Sequence, residues 1–212
     1  MTGERKTASM WQRIKEAWRQ AQEDALRKYA APVGRVSVSM SGDAREYLEE
    51  VFAAFPYTDE AKQWLRESIN FDVQDLHSVR GGGYWDPGRN LVFLYTAQYE
   101  AAIHELAHAW WHTRRLGQEE AMMQATIALS EERDPRYARA QGLAYGYIHG
   151  IPEQNWAGML VERNDWEMYA GLASGMMADI RLVPPYVRSF YDGMYLLLSD
   201  DAPSPAAVAP HS

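Results

Sequence analysis

The stretch YEAAIHELAHAWWH, residues 99–112, constrains the fold of this chain more strongly than any other. No Gly or Pro occurs in residues 97–116, so the sequence predicts one uninterrupted helix over that range, with Gly117 as its C-terminal cap. Apolar residues occur on nearly every side of the predicted helix. A helix that is apolar all round is buried, so we expect this one at the centre of the domain.

Within this helix, residues 104–108 spell HELAH, an HExxH pentapeptide. Residues at i and i+4 project from one helix face, so the imidazoles of His104 and His108 can reach the same ion. The adjacent carboxyl group of Glu105 can serve as a general base. Buried polar groups need partners, and a metal ion with its water would supply them. The alternative is a core helix whose histidines are satisfied by other side chains.

A catalytic zinc ion usually has three protein ligands and one open position, so the pair requires a third ligand. His112 lies about 12 Å along the helix from His104, too far to share one ion, and we expect it to pack near the site instead. The remaining candidates are Glu131, Glu132, His149 and Glu167.

Glu167 is favoured by its surroundings. Its immediate neighbours are large and apolar, which indicates burial, and small residues share its face of a helix predicted over 165–180. Such a helix can approach another closely while one carboxylate reaches across. Glu131 and Glu132 have a suitable spacing from His108, but they lie in a charged stretch of a kind that is usually exposed to solvent.

The segment before the HELAH helix reads VRGGGYWDPGRN and then LVFLY. LVFLY is a β-prone run and Asp-Pro-Gly favours a turn, so the segment predicts a hairpin. Its glycines leave a strand edge with little side-chain bulk, where an extended peptide can pair through backbone hydrogen bonds. Gly82, Gly83 and Tyr84 are therefore the predicted substrate-binding residues. A flexible turn is the alternative.

The predicted class is α+β, with a mainly helical domain, a small mixed sheet and the edge hairpin before the HELAH helix. Residues 1–31 carry apolar residues at helical spacing and predict an amphipathic helix. A final apolar helix is expected over 186–198, after two prolines. Residues 200–212 are rich in Pro and Ala and are expected to be disordered.

Composition excludes several classes of function. The 212-residue chain has a formal net charge of −8 and no long basic run, which argues against a nucleic-acid partner. It has no cysteine, which removes disulfides, thiol catalysis and Cys-type zinc sites. We see neither an apolar signal-peptide core nor a run of transmembrane length, so we expect a cytoplasmic protein without a membrane span. The sequence does not indicate an oligomeric state.

The order GGGYWDPGRN, LVFLY, HELAH, NDWEMYA and PPYV resembles the gluzincin-type zinc metallopeptidases. It is most similar to the catalytic domains of anthrax lethal factor and the Pro-Pro endopeptidases, over roughly residues 79–192. The resemblance implies a zincin-like catalytic domain over 32–199. It also implies one Zn²⁺ per chain, held by His104, His108 and Glu167, with Glu105 as the general base.

The implied activity is that of a metalloendopeptidase, which hydrolyses a peptide or protein substrate with a water activated by zinc. The alternative is a non-catalytic zincin-like module, in which the metal staples a protein-binding domain. Glu105 argues for catalysis, because a purely structural metal site needs no carboxylate at that position.

The sequence departs from the family pattern at one position. The family has a transition-state-stabilising tyrosine about two helical turns before the ligating glutamate. This chain has Leu160 there, and no Tyr lies between Tyr147 and Glu167. Tyr145, Tyr147 or His149 is expected to take that role, and Tyr147 is the predicted catalytic residue.

Overall fold

The computed structural model describes residues 42–74, 82–115, 117–149 and 165–205, all within the compact unit Val38–Ser212. These ranges have an α+β architecture of seven α-helices and one three-stranded mixed sheet, which confirms the predicted class. None of their helices is both long enough and apolar enough to span a bilayer. The amphipathic helix predicted within residues 1–31 lies outside the described residues.

Ten helices and strands of regular α or β structure follow one another along the described parts of the chain. The helices are α1 Gly42–Ala54, α2 Asp59–Ser68, α3 Tyr99–Arg114, α4 Glu119–Ser130, α5 Ala138–His149, α6 Asp165–Gly175 and α7 Pro185–Arg188. The strands are β1 Asn70–Val73, β2 Gly83–Asp86 and β3 Leu91–Leu94. Single 3₁₀ turns occupy Pro135–Tyr137, Ile180–Leu182 and Ser189–Tyr191.

The sheet has the strand order β1-β3-β2, so β3 is central and β2 lies at an edge. β1 runs parallel to β3, and β2 runs antiparallel to it with Gly83 opposite Leu94. The turn between β2 and β3 is held by the Asp86 carboxylate, which accepts from the N–H groups of Gly88 at 2.9 Å and Arg89 at 3.2 Å. The predicted hairpin is therefore present.

Helix α3 is the buried centre of the fold, as predicted. Every residue from Ala101 to Trp111 is buried. The helix packs against α6 on one side and against β2 and β3 on another. It is shorter than the predicted 97–116, because Tyr95 still belongs to the sheet ladder and Gln98 takes the N-cap position. α3 is thus the element around which the site can form.

Helix α6 ends at Gly175, five residues before its predicted end. Met177 and Ala178 have φ values of 50° and 59°, in the left-handed region that reverses the chain at helix ends. The N–H of Ala178 donates to the carbonyl of Ala173 at 2.8 Å and closes the last turn. Asp179 then caps the following 3₁₀ turn.

The expected final helix over 186–198 is wrong in length. Only α7 and one 3₁₀ turn form, because Gly193, with a φ of 82°, redirects the backbone and Tyr195 pairs with Tyr57 in an isolated β-bridge. Residues 200–205 of the expected disordered tail are described, and the guanidinium of Arg181 donates to the carbonyl of Ala202 at 2.9 Å. Residues 206–212 lie outside the described part of the chain.

Candidate metal centre

Three side chains from two helices converge on one point. His104 and His108 project from the same face of α3, and their Nε2 atoms lie 3.0 Å apart. Glu167 reaches across from the first turn of α6. Its Oε2 lies 3.2 Å from His104 Nε2, and its Oε1 lies 3.4 Å from His108 Nε2. Among the described residues, these three form the group of His, Asp and Glu side chains that could hold a metal ion.

The donor set and its spacing fit zinc. Two imidazole nitrogens and one carboxylate oxygen are a typical ligand set for catalytic zinc, with ligand atoms about 2.0–2.2 Å from the ion. In a tetrahedral site those atoms are then about 3.3 Å from one another. The observed separations of 3.0, 3.2 and 3.4 Å agree with that value. The two Glu167 distances end on different oxygens of its carboxylate, and the three side chains together fit the ligand set of a zinc ion.

The electrostatics of the cluster favour an ionised Glu167. Burial alone would raise the pKa of this carboxyl group, but hydrogen bonds and charge from His104 and His108 outweigh burial and hold the pKa well below its usual range. The Glu167 side chain retains 28% of its solvent exposure, whereas both histidines are nearly fully buried. Glu167 thus supplies a negative charge at the exposed margin of the cluster.

Glu105 lies between His104 and the sheet. The side chain is buried, and burial raises the pKa of its carboxyl group to about 7. The charge of Glu167 raises this pKa further, while His104 and the backbone N–H of Trp85, which donates to the carboxylate, lower it. A carboxyl group with a pKa near neutrality can both take up and release a proton at physiological pH, as a general base must.

The edge strand β2 passes directly beside Glu105. In the ladder the Tyr95 N–H donates to the Gly82 carbonyl at 2.9 Å, so Gly82 and Tyr95 form a hydrogen-bonded pair. Because such pairs alternate with non-bonded pairs, the backbone groups of Gly83 and Trp85 point away from β3. The bond from Trp85 to Glu105 agrees with this alternation.

The two glycines at the start of β2 are packed rather than loose. A Cβ atom on Gly82 would lie 2.6 Å from Ala101 Cβ, and one on Gly83 would lie 2.5 Å from the Phe93 carbonyl oxygen. Their missing side chains therefore allow the strand to lie close to α3. Tyr84 points to the other face of the sheet, where its ring stacks on Phe93 with centroids 5.3 Å apart.

His112 has the packing role expected for it. Its ring meets the ring of Trp166 edge-on with centroids 4.4 Å apart, and Trp166 immediately precedes Glu167. Burial and the neighbouring His108 lower the pKa of His112. This contact joins α3 to the start of α6, and on α3 it lies one turn after His108.

The other ligand candidates lie elsewhere. The Glu132 carboxylate accepts from the N–H groups of Arg133 and Asp134 in the turn after α4, and exposed Glu131 begins that turn. His149 is exposed at the end of α5, where its ring lies 4.2 Å from that of Tyr145. Neither acidic residue nor His149 belongs to the convergent group.

The predicted catalytic Tyr147 lies in the last turn of α5, half-buried and packed against the core. Helix α5 packs against α6, which carries Glu167. The role of Tyr147 as an oxyanion donor stays a prediction, as do those of Tyr145 and His149.

Two contributors to the site were missed by the sequence reasoning. The backbone N–H of Trp85 bonds to Glu105, and every residue except proline has such a group, so no residue type signals it. The hydroxyl of Ser174 lies 3.5 Å from His104 Nδ1. Ser174 is one of the small residues that share a helix face with Glu167, and a hydroxyl at that spacing was a usable signal.

The chain was also compared with known proteins. Comparison with protein-family models, with curated proteins and with solved structures finds no match. The function must therefore be argued from the geometry of the residues around Glu167.

Proposed function

We propose that this protein is a zinc-dependent metalloendopeptidase with a zincin-like catalytic domain. The observation that carries the proposal is the convergence of His104, His108 and Glu167, whose ligand atoms lie within 4.8 Å of one another, with the buried carboxyl group of Glu105 next to them. A metal site with a purely structural role would not need a fourth side chain with a titratable carboxyl group in that place.

Glu105 is proposed to move the proton. When bound, zinc supplies a Lewis acid that acidifies a water molecule and polarises a carbonyl group. Glu105 takes the proton from that water and delivers it to the leaving amine. Burial raises the pKa of Glu105 to about 7 in the metal-free protein, and the charge of a bound cation would lower it, so the carboxylate would be ionised and ready to accept a proton near neutral pH. The Trp85 N–H, which donates to the carboxylate, would orient it. His104, His108 and Glu167 hold the ion.

The substrate is proposed to be an extended peptide or protein segment paired with β2. The backbone groups of Gly83 point away from β3, toward the edge at which a further strand can add. Backbone pairing beside Glu105 would bring a peptide bond, rather than a side chain, to the proton-transferring group. The predicted residues Gly82 and Gly83 would act through their backbone, and Tyr84 would stiffen the strand by stacking on Phe93.

The oxyanion that forms during peptide hydrolysis requires a hydrogen-bond donor in addition to the metal. Tyr147 is proposed as this donor, with Tyr145 and His149 as alternatives on the same helix. Removing an oxyanion donor lowers kcat by about 10²–10³. Tyr147→Phe, Tyr145→Phe and His149→Ala, compared on one peptide, would identify the donor through the variant that loses kcat and keeps its zinc.

Metal content and peptide hydrolysis, measured together, test the proposal. The wild type should bind about one zinc per chain and cleave members of a peptide library. Glu105→Gln should keep the zinc and lose cleavage, whereas Glu167→Ala should lose most of both. Glu100→Gln is the matched control, because Glu100 is an exposed carboxyl group on the same helix, and it should keep both properties.

Two results would count against the proposal. A wild type that takes up no zinc after reconstitution would refute it and leave α3 as a packed core helix. Zinc binding without cleavage of any peptide would favour the alternative, a metal-stapled binding module. Zinc retained in Glu167→Ala would instead show that Glu167 is not a ligand and that the proposed ligand set is wrong.

A further inference from the structure

We infer that Ser174 is a positioning residue for His104, whose hydroxyl accepts the Nδ1 proton and thereby directs the Nε2 lone pair toward the ion. The inference deepens the proposed function and rests on it, since it concerns the same metal centre. Nothing in the HExxH pattern specifies this residue, which stands on another helix 70 positions further along the chain.

The location of Ser174 suits this role. It lies on α6, two turns after Glu167, and its side chain is fully buried. The Oγ atom lies 3.0 Å from the carbonyl oxygen of Ala170, 3.3 Å from that of Gly171 and 3.5 Å from His104 Nδ1. A single hydroxyl therefore links the backbone of the helix that carries one ligand to the ring of another ligand.

The direction of each hydrogen bond follows from counting protons. A serine hydroxyl has one proton to donate and two lone pairs that accept. The Ala170 carbonyl oxygen can only accept and is the nearest partner, at 3.0 Å, so we assign the hydroxyl proton to it. Toward His104 the Oγ atom then accepts, and Nδ1 carries a proton. With zinc bound, a neutral imidazole with this proton has its Nε2 lone pair directed at the ion, whereas without zinc Nε2 can instead share a proton with Glu167 Oε2 at 3.2 Å.

The same contact fixes the orientation of the ring. Nδ1 of His104 points at α6 and Nε2 points into the cluster, so rotation of the imidazole would break the bond to Ser174. Residues that hold a metal-ligating histidine in this way change metal affinity by about 10–100-fold when they are removed. Because the Oγ–Nδ1 distance of 3.5 Å is long for a hydrogen bond, we expect the lower end of that range.

The test measures zinc affinity by competition with a chelator in three full-length variants. Ser174→Ala removes the acceptor with little change in volume, and Ser174→Thr keeps it. Ser130→Ala is the matched control, because Ser130 is a buried helical serine whose Oγ donates to the Ile127 carbonyl at 2.7 Å on α4. We expect about tenfold weaker zinc binding in Ser174→Ala and wild-type affinity in the other two.

A second measurement separates positioning from general weakening of the fold. In the zinc-loaded protein, the Nδ1 proton of His104 should give a resolved imidazole NMR signal that exchanges slowly with water. The signal is assigned by its absence from His104→Asn. Ser174→Ala should speed its exchange, and Ser130→Ala should not. Urea unfolding of the zinc-free variants checks that all of them fold.

The outcomes distinguish this inference from the proposed function. Suppose that the wild type binds zinc and cleaves peptides, but Ser174→Ala matches Ser130→Ala in zinc affinity and in the exchange rate of the Nδ1 proton. Ser174 is then a packing residue, and the inference fails while the proposed function stands. If the wild type binds no zinc, the proposed function fails and the inference fails with it. Weaker zinc binding with faster exchange, seen in Ser174→Ala alone, supports the inference.

Discussion

The Cγ atom of Glu105 lies 3.1 Å from the position that a Cβ atom would occupy on Gly83. Glu105 on α3 and the edge strand β2 are thus in direct contact, and no side chain fits between them. The same Cβ atom would also lie 2.8 Å from Leu94 Cδ2. Gly83 is therefore required by packing, in addition to its proposed part in substrate pairing.

Gly83→Ala should lower both stability and activity. Extra volume in a packed site typically costs about 1–3 kcal/mol, and here the added methyl group would push β2 or Glu105 aside. We expect reduced free energy of unfolding in urea, with peptide cleavage reduced further than zinc content. Gly42→Ala is the control, since a Cβ atom there meets nothing within 4 Å. Unchanged cleavage in Gly83→Ala would contradict the direct contact between Glu105 and β2.

Metal removal should destabilise the protein. Zinc that binds only the folded state adds about 2.7 kcal/mol of stability at a concentration 100 times its Kd. A chelator should therefore lower the Tm of the wild type and of Glu100→Gln. It should leave the Tm of Glu167→Ala unchanged, since that variant lacks one of the three ligands. An equal effect of the chelator on all three proteins would show that the stabilising ion binds elsewhere.

Stability should fall at alkaline pH because of four buried tyrosines. The four are Tyr57, Tyr169, Tyr191 and Tyr195. Burial raises the pKa of each of these side chains above its ordinary value of 10. The unfolded chain releases these protons near pH 10 and the folded chain keeps them. The free energy of unfolding therefore keeps its full value below about pH 10. Above that pH it falls by roughly 1.4 kcal/mol per pH unit for each tyrosine.

Urea unfolding at several values between about pH 9 and pH 11 measures this slope. Tyr57→Phe should make it shallower, because one group no longer titrates on unfolding. Tyr84→Phe removes an exposed hydroxyl and should leave the slope unchanged. A fall of equal steepness in both variants would assign the alkaline loss to other groups.

Two Asp-x-Arg pairs have the same local geometry but differ in burial, so a comparison of the two isolates the effect of burial on stability. Asp179 caps the N–H of Arg181 and binds its guanidinium at 2.7 Å, with both side chains largely buried. Asp134 makes the same contacts with Arg136, whose side chain is 75% exposed. Asp179→Ala should cost about 1.5–3 kcal/mol, because it removes the charged hydrogen bonds between this carboxylate and the guanidinium, which keeps the Ala202 carbonyl as an acceptor.

The corresponding change in the exposed pair, Asp134→Ala, should cost clearly less, because the ion pair that it removes is screened by solvent. Thermal unfolding of both variants measures the difference. Equal losses would show that the cap, and not the buried charge, stabilises the Asp179 turn.

The structural features that could be predicted from the sequence are those that depend on residues close together along the chain. The i,i+4 spacing of His104 and His108 places both rings on one face of any helix, and the apolar residues around them require burial. The β2–β3 hairpin was predictable for the same reason, since Asp86 forms its turn with the next few residues. Glu167 was harder, but its small-residue helix face indicated a close approach to another helix.

What could not be predicted depends on contacts between distant segments. Strand β1 has only four residues and forms because Asn70 and its successors pair with β3, 21 positions away. The end of α6 is set by the left-handed Met177 and Ala178, which are not residue types that favour that conformation. The contact between Ser174 and His104 likewise requires knowing which faces of α3 and α6 meet.

The bond from the Trp85 N–H to Glu105 has a consequence for self-association. An exposed edge strand invites other copies of a chain to add to it and aggregate. β2 has only four residues, and two of its N–H groups, those of Gly83 and Trp85, face outward. The Trp85 N–H already donates to the carboxylate of Glu105. A strand from another copy would have to displace Glu105 from the Trp85 N–H before it could extend the sheet. Glu105, the proposed general base, therefore also hinders the addition of strands at this edge, and a substrate peptide would likewise have to displace it from the Trp85 N–H.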